Sequence, residues 1–276
     1  MARWDKIGST GNIDDRRGMN APVFAGSGIV AVLVAMALGY FGIYVPQSTI
    51  EDAISQIQSL QSAQVDEAEQ PIEFRGDDDY EIFASKVLGS NNDVWTTVFS
   101  RNNEQYQAPK LVLFRSATRS GCGVATSAVG PHYCPNDTTI YLDETFFNEL
   151  KQRYGGSSGE VAQAYVIAHE VGHHVQYQLG ALTSEAQNSR AGSIALELQA
   201  DCYAGIWAYS QAKNGIFEDG EIEQAMSAAA AVGDDNIQET VEGRVTPENW
   251  THGSSEQRVN AFTTGYTTGD PSRCTL

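Results

Sequence analysis

The pattern of apolar and polar positions divides the chain into three stretches. Residues 18–50 carry no charged side chain, and 21–45 are apolar almost throughout. As a helix rising about 1.5 Å per residue, some 25 positions reach about 37 Å, enough to cross a hydrocarbon core of about 30 Å. The pattern predicts one transmembrane helix over 21–45, because the run is too long for the apolar core of a cleaved leader and no small-residue cleavage site follows Val45. Residues 46–76 are polar, with Ile50, Ile54, Ile57 and Leu60 at helical spacing. They read as a stalk whose apolar stripe either pairs with another copy or lies on the folded domain.

From residue 77 onward the periodicity is that of a folded domain. Asp77, Asp78 and Asp79 stand where they can cap a helix that turns Tyr80, Phe83, Val87 and Leu88 inward. Residues 111–115 (LVLFR) and 138–142 (TTIYL) have strand composition, and the loop between them holds Gly121, Gly123, Gly130, Pro131 and Pro135. Helical patterns follow at 144–154, 158–179, 194–213, 218–231 and 254–265. The expected fold class is α+β: a helix-rich domain with a small β-sheet, preceded by one transmembrane helix. The organisation reads as N-terminus 1–20, span 21–45, stalk 46–76 and domain 77–276.

Charge changes the picture in two ways. The 276 residues contain 17 Lys plus Arg against 35 Asp plus Glu, a formal charge of -18. No cationic field is present to gather phosphates, which argues against nucleic-acid partners. Arg3, Lys6, Arg16 and Arg17 precede the apolar run and the next basic residue is Arg75. The excess of positive charge before the run places the N-terminus in the cytoplasm and the domain outside it, as a single-pass membrane protein. An oxidising compartment permits disulfides: Cys122 with Cys134 across the Gly/Pro-rich loop, and Cys202 with Cys274 tying down the tail. Buried free thiols would have the same sequence signature. No pair has C-x-x-C spacing, which disfavours a zinc-thiolate site.

The segment carrying chemistry is His169-Glu170-Val171-Gly172-His173. On a helix, positions four apart share a face, so two imidazoles can reach one Zn²⁺ while Glu170 stands beside its water as general base. Gly172 leaves room for another element to approach. Two histidines and a water leave the tetrahedron one ligand short. Glu197, on the next long helix, is the best candidate for it, with Glu185 a weaker one. Asp201, one turn beyond Glu197, is placed to accept the second N–H of a ligating histidine. Ile194, Leu196, Leu198, Ala200, Tyr203, Ile206 and Trp207 make that helix apolar nearly all round, so two carboxylates within it call for a metal or an imidazolium.

The H-E-x-x-H helix followed by Glu197-x-x-x-Asp201 resembles the gluzincin metallopeptidases, whose downstream Glu is the third zinc ligand. Together with the apolar N-terminal run, Gly130-Pro131-His132-Tyr133-Cys134-Pro135, Ile140-Tyr141-Leu142-Asp143, HEVGHHVQ and ELQADCYAGIWA, the chain resembles the bacterial putative neutral zinc metallopeptidase family over almost its entire length. The resemblance implies a zincin-like, membrane-anchored peptidase with one catalytic Zn²⁺ and a polypeptide substrate. The segment from Trp250 to Val259 is similar to the H-P-x-x-x-x-R-[IV] stretch of membrane-associated gluzincins, where the histidine stabilises the tetrahedral intermediate. Here Gly253 replaces the proline. The similarity assigns that role to His252, and Arg258 is placed to brace the loop.

These readings combine into a mechanism. His169, His173 and Glu197 hold zinc, Glu170 moves the proton, His252 holds the oxyanion, and the substrate lies extended along strand 138–142 with residues 129–133 as its rim. His174 is read as packing or facing solvent, and His132 as a loop hydrogen-bonding residue. The alternative function is a catalytically silent zinc-binding envelope protein that docks a partner. It leaves Glu170 unexplained, because a structural site needs no general base.

Overall fold

In a computed structural model, residues 1–18 and 78–275 are described. They belong to one compact unit. The expected span at 21–45 and the stalk at 46–76 lie outside the described residues. Among those described, no helix is long and apolar enough to cross a membrane.

The strands are β1 (Asn12–Asp15), β2 (Lys110–Leu113), β3 (Ala117–Ser120), β4 (Gly123–Thr126), β5 (His132–Cys134) and β6 (Thr139–Leu142). The α-helices are α1 (Asp79–Arg101), α2 (Phe146–Tyr154), α3 (Glu160–Gln178), α4 (Ser184–Asn188), α5 (Arg190–Lys213), α6 (Ile222–Ala231), α7 (Asp234–Glu242) and α8 (Ser255–Thr268). The class is α+β and helix-rich, as the periodicity predicts. Asp78 caps α1 by accepting from the N–H groups of Tyr80 and Glu81.

A mixed sheet runs in the order β1-β2-β6-β5, with β1, β2 and β6 parallel and β5 antiparallel to β6. Side chains alternate across it as the strand period requires. Leu111, Leu113, Ile140 and Leu142 enter the main core with α1 and α3, whereas Val112 and Tyr141 join Phe114, Ala125 and Cys134 in a second cluster on the opposite face. The β3–β4 hairpin contributes to that second cluster through Ala125, and the Cys122–Cys134 disulfide joins its turn to β5.

Strand 138–142 was expected to offer an exposed edge, but β6 is paired on both sides and the edge belongs to β5. Residues 1–20 were set apart from the domain, yet residues 1–18 are built into it. β1 extends the sheet beside β2, Trp4, Ile7 and Ile13 are buried, and the Trp4 indole donates to Glu160 at the start of α3. Two of the four basic residues on which the cytoplasmic placement rested are paired locally, Arg16 with Asp14 and Arg17 with Asp15, each at 2.7 Å.

The helices pack at unusually short range. A β-carbon on Gly172 of α3 would lie 2.9 Å from the Cα of Ala200 on α5. One on Gly205 of α5 would lie 2.1 Å from the Phe262 carbonyl oxygen on α8. Only glycine permits these crossings, and they bring α3, α5 and α8 together around one point. The Cys202–Cys274 disulfide ties the tail beyond α8 to α5.

Candidate active site

His169 and His173 lie one turn apart on α3, with ring centroids 4.8 Å apart. The close crossing at Gly172 and Ala200 brings Glu197, three residues before Ala200, between them. Glu197 Oε2 is 3.2 Å from His169 Nε2, and Oε1 is 3.3 Å from His173 Nε2. Ligand atoms of the three residues all lie within 4.8 Å of one another. The other ring nitrogens are engaged: His169 Nδ1 lies 2.8 Å from Asp201 Oδ1 and His173 Nδ1 lies 2.9 Å from Gln176 Oε1. Acceptors at both Nδ1 atoms hold a proton there and turn both Nε2 atoms toward the common centre, where a bound ion would displace any Nε2 proton.

The electrostatics fit a cation at that centre. Burial lowers the His169 imidazolium, but Asp201 and Glu197 outweigh it and lift the pKa to about 10. His173 is raised against its own burial, chiefly by Glu197. Burial raises Glu197, but the two imidazoles pull it well below the usual carboxylate range. The pocket is thus built around stabilised carboxylates, and the N₂O donor set facing them suits Zn²⁺.

Glu170, the residue after the first ligand candidate, lines the same cleft and is buried, and its Oε2 has no hydrogen-bond partner among the described residues. The cleft, about 630 Å³, is lined by the loop of residues 127–133, by α2, α3 and α5, and by His252. Val129 and Pro131 belong to its lining, so the rim expected at 129–133 adjoins the edge strand β5 rather than β6.

His252 is half-exposed and lines the cleft. Its Nδ1 lies 3.1 Å from Asp234 Oδ1, leaving Nε2 available. Asp234 Oδ2 also accepts the backbone N–H groups of Thr251, His252 and Gly253, at 2.8, 2.6 and 2.9 Å. Gly253 has φ 89°, a value closed to proline, so replacing the proline of the related motif suits the turn found here. Ser254 then caps α8 in a capping box with Gln257.

Arg258 was expected to brace this loop. It is buried instead beneath the histidines, bonded through Nε to Asp201 Oδ2 at 2.8 Å. The turn is braced by Asp234, which the sequence reading missed along with all of α7. Tyr165 was also missed: it lies in the apolar stripe of α3, but its hydroxyl donates to Asp201 at 2.5 Å. Gln176 is a third omission. Glu185 is exposed on α4 and does not belong to the donor cluster. His174 packs inward, bonded to the Tyr133 hydroxyl and the Gln107 carbonyl, and burial lowers its pKa. His132 lies 3.0 Å through Nδ1 from the Gly130 carbonyl and also lines the cleft.

Comparison with known proteins agrees with this geometry. The sequence description of a family called putative neutral zinc metallopeptidase matches residues 2–276. The chain is 38% identical over 290 residues to the uncharacterized protein YpfJ of Escherichia coli K12, covering 99% of this chain and 97% of that one. It is 46% identical over 202 residues to the uncharacterized protein Rv2575 of Mycobacterium tuberculosis H37Rv, covering 68% and 69% respectively. No solved structure matches significantly.

Proposed function

The chain belongs to the putative neutral zinc metallopeptidase family, and from that membership we propose that it is a membrane-attached zinc endopeptidase acting on polypeptides. The observation that carries this reading is the convergence of His169 Nε2, His173 Nε2 and Glu197 beside the buried, unpartnered carboxylate oxygen of Glu170. A structural zinc site gains nothing from a free carboxylate at its border, whereas hydrolysis needs a base there.

His169, His173 and Glu197 would hold the ion, which when bound supplies Lewis acidity for the scissile carbonyl and lowers the pKa of water. Glu170 takes the proton of the attacking water and delivers it to the leaving amine. Among the described residues no donor is bonded to Oε2, which leaves that oxygen free for both transfers. His252, steadied through Nδ1 by Asp234, presents Nε2 to the developing oxyanion. Asp201 holds the Nδ1 proton of His169 and so fixes the ring. The peptide lies along the outer edge of β5, where main-chain pairing keeps it extended without demanding one sequence.

Membrane attachment through residues 21–45 rests on their apolar character, but with residues 1–18 folded onto 78–275 the run would enter the membrane and leave it on the same side, in place of the single crossing expected from its length. Placement of the domain in an oxidising, extracytoplasmic compartment is supported by the disulfides Cys122–Cys134 and Cys202–Cys274. Because residues 1–18 share a folded unit with 78–275, the N-terminus is proposed on that same side, in place of the cytoplasm.

Zinc content and cleavage of an unfolded protein test the enzymatic reading together. Wild type should bind one zinc and cleave, and Glu170→Gln should keep the metal and lose cleavage. Glu197→Ala should lose both. Full zinc occupancy in Glu197→Ala would remove Glu197 from the ligand set, and equal cleavage by Glu170→Gln would reject the base.

A further inference from the structure

Asp201 is fully buried and receives donors from three residues on two other helices. His169 Nδ1 and the Tyr165 hydroxyl approach Oδ1 from α3, at 2.8 and 2.5 Å. Arg258 approaches from α8 with two bonds, Nε to Oδ2 at 2.8 Å and an η-nitrogen to Oδ1 at 3.0 Å. The same η-nitrogen lies 3.4 Å from His169 Nδ1 and 3.6 Å from Glu197 Oε2. A buried guanidinium is thus held close to two residues meant for a dication, where simple Coulomb repulsion opposes metal binding. Its presence there calls for a compensating role.

We propose that Arg258 is a positioning residue of the metal centre, acting through Asp201. The planar fork fits both carboxylate oxygens at once, which fixes the Asp201 plane and holds Oδ1 against His169 Nδ1. His169 is then held with Nδ1 protonated and Nε2 turned toward Glu197 before any ion arrives. A lone buried carboxylate would lack charge compensation in the metal-free protein and would be free to turn. The Arg258–Asp201 pair makes orientation independent of the ion. Because α8 carries Arg258, the C-terminal helix becomes part of the metal site. Its close packing on α5 at Gly205 and the Cys202–Cys274 bond are what keep that helix in reach.

The inference rests on the reading of His169, His173 and Glu197 as a zinc site. The test is zinc affinity of the full chain, measured by competition with a chelating indicator, for wild type, Arg258→Gln, Arg258→Lys, Asp201→Asn and the Asp201→Asn/Arg258→Gln double variant. Loss of such an outer partner weakens metal binding by about 10- to 100-fold. Arg258→Gln should fall in that range, and the double variant should be little weaker than either single one, since both act through one carboxylate. Wild-type zinc affinity in folded Arg258→Gln would make the residue merely structural and overturn the proposal. Additive losses would overturn it as well. Arg258→Lys keeps the buried charge and decides the matter if Arg258→Gln does not fold. A single ammonium cannot make both bonds, so its affinity should drop several-fold, and unchanged affinity rejects the fork. Wild type that binds no zinc removes the metal centre itself along with this role, whereas equal binding by wild type and Arg258→Lys removes the role of Arg258 alone.

Discussion

Gly172 faces Ala200 at the crossing of α3 and α5, and a β-carbon at Gly172 would stand 2.9 Å from the Ala200 Cα and 3.0 Å from its carbonyl oxygen. The obstruction is backbone, which cannot turn aside as a side chain can. This contact sets the distance between the two histidines and Glu197. Gly172→Ala gains about 1 kcal/mol of helix propensity but incurs an overpacking cost of about 1–3 kcal/mol. The expected outcome is a protein of equal or lower stability with weakened zinc binding, because the helices part at the site itself. Thermal unfolding with and without added zinc measures both, and a wild-type response to zinc rejects the link between crossing and ligation.

His252 and Asp234 should act as one unit in turnover and leave the metal alone. His252→Ala removes the oxyanion donor, a loss of about 10²- to 10³-fold in kcat for groups of this kind. Asp234→Ala frees the turn of residues 251–253 and should lower kcat by a comparable factor. The double variant should be little worse than either single one. Both singles should retain full zinc, since neither residue belongs to the donor cluster. Loss of zinc from His252→Ala would assign that residue a different role.

Why some of this was legible in the sequence and some not follows from the residues concerned. His169 and His173 are four apart because one helix turn must span one ion. Glu197 and Asp201 stood out as carboxylates inside an apolar helix. Tyr165 did not, because a tyrosine in an apolar stripe reads as core and its hydroxyl partner comes from a helix 36 residues away. Gln176 depends on the same crossing. Asp234 begins a helix with few apolar positions, whose signals are the Asp234–Asp235 pair in its first turn and the left-handed Gly243 at its end. The edge strand was misplaced for a physical reason: Thr139–Leu142 has the composition of a strand buried on both faces, and that is what β6 is. Three-residue β5 carries too little pattern to compete. β1 offers a single buried apolar residue, Ile13, and its parallel pairing with a strand nearly a hundred residues away has no local signature.

The placement of residues 1–18 within the domain predicts their compartment. Gly8 is exposed with open space around it, and Ser184 is exposed at the start of α4. Gly8→Cys and Ser184→Cys, tested separately in intact cells with a membrane-impermeant thiol reagent, should be labelled alike. Labelling of Ser184→Cys without Gly8→Cys would put the two on opposite sides and reject the shared compartment. Trp4→Ala tests the docking by energy. A large aromatic truncated in a core costs about 3–5 kcal/mol, and Trp4 is buried and bonded to Glu160, so destabilisation near the lower figure is expected in urea.

Asp234 also predicts a pH dependence. Burial raises its pKa, but the His252 ring and the N–H groups of the turn outweigh that and hold it below the ordinary carboxylate value. A carboxyl depressed in the folded state stabilises the protein fully above its unfolded pKa of about 3.9, and that contribution is lost as pH falls through the lower folded value. Asp234→Asn removes the charge but keeps the shape, so it should be less stable than wild type by about 2 kcal/mol at neutral pH, the scale of hydrogen bonds to a charged acceptor. The difference should hold steady from about pH 7 to about pH 5 and shrink below about pH 4, where the wild-type carboxyl takes up its proton. Metal release in acid would mask this, so urea unfolding is to be followed after zinc has been stripped with a chelator. A gap that stays undiminished at about pH 2, below the usual carboxylate range, would mean that shape rather than charge holds the turn.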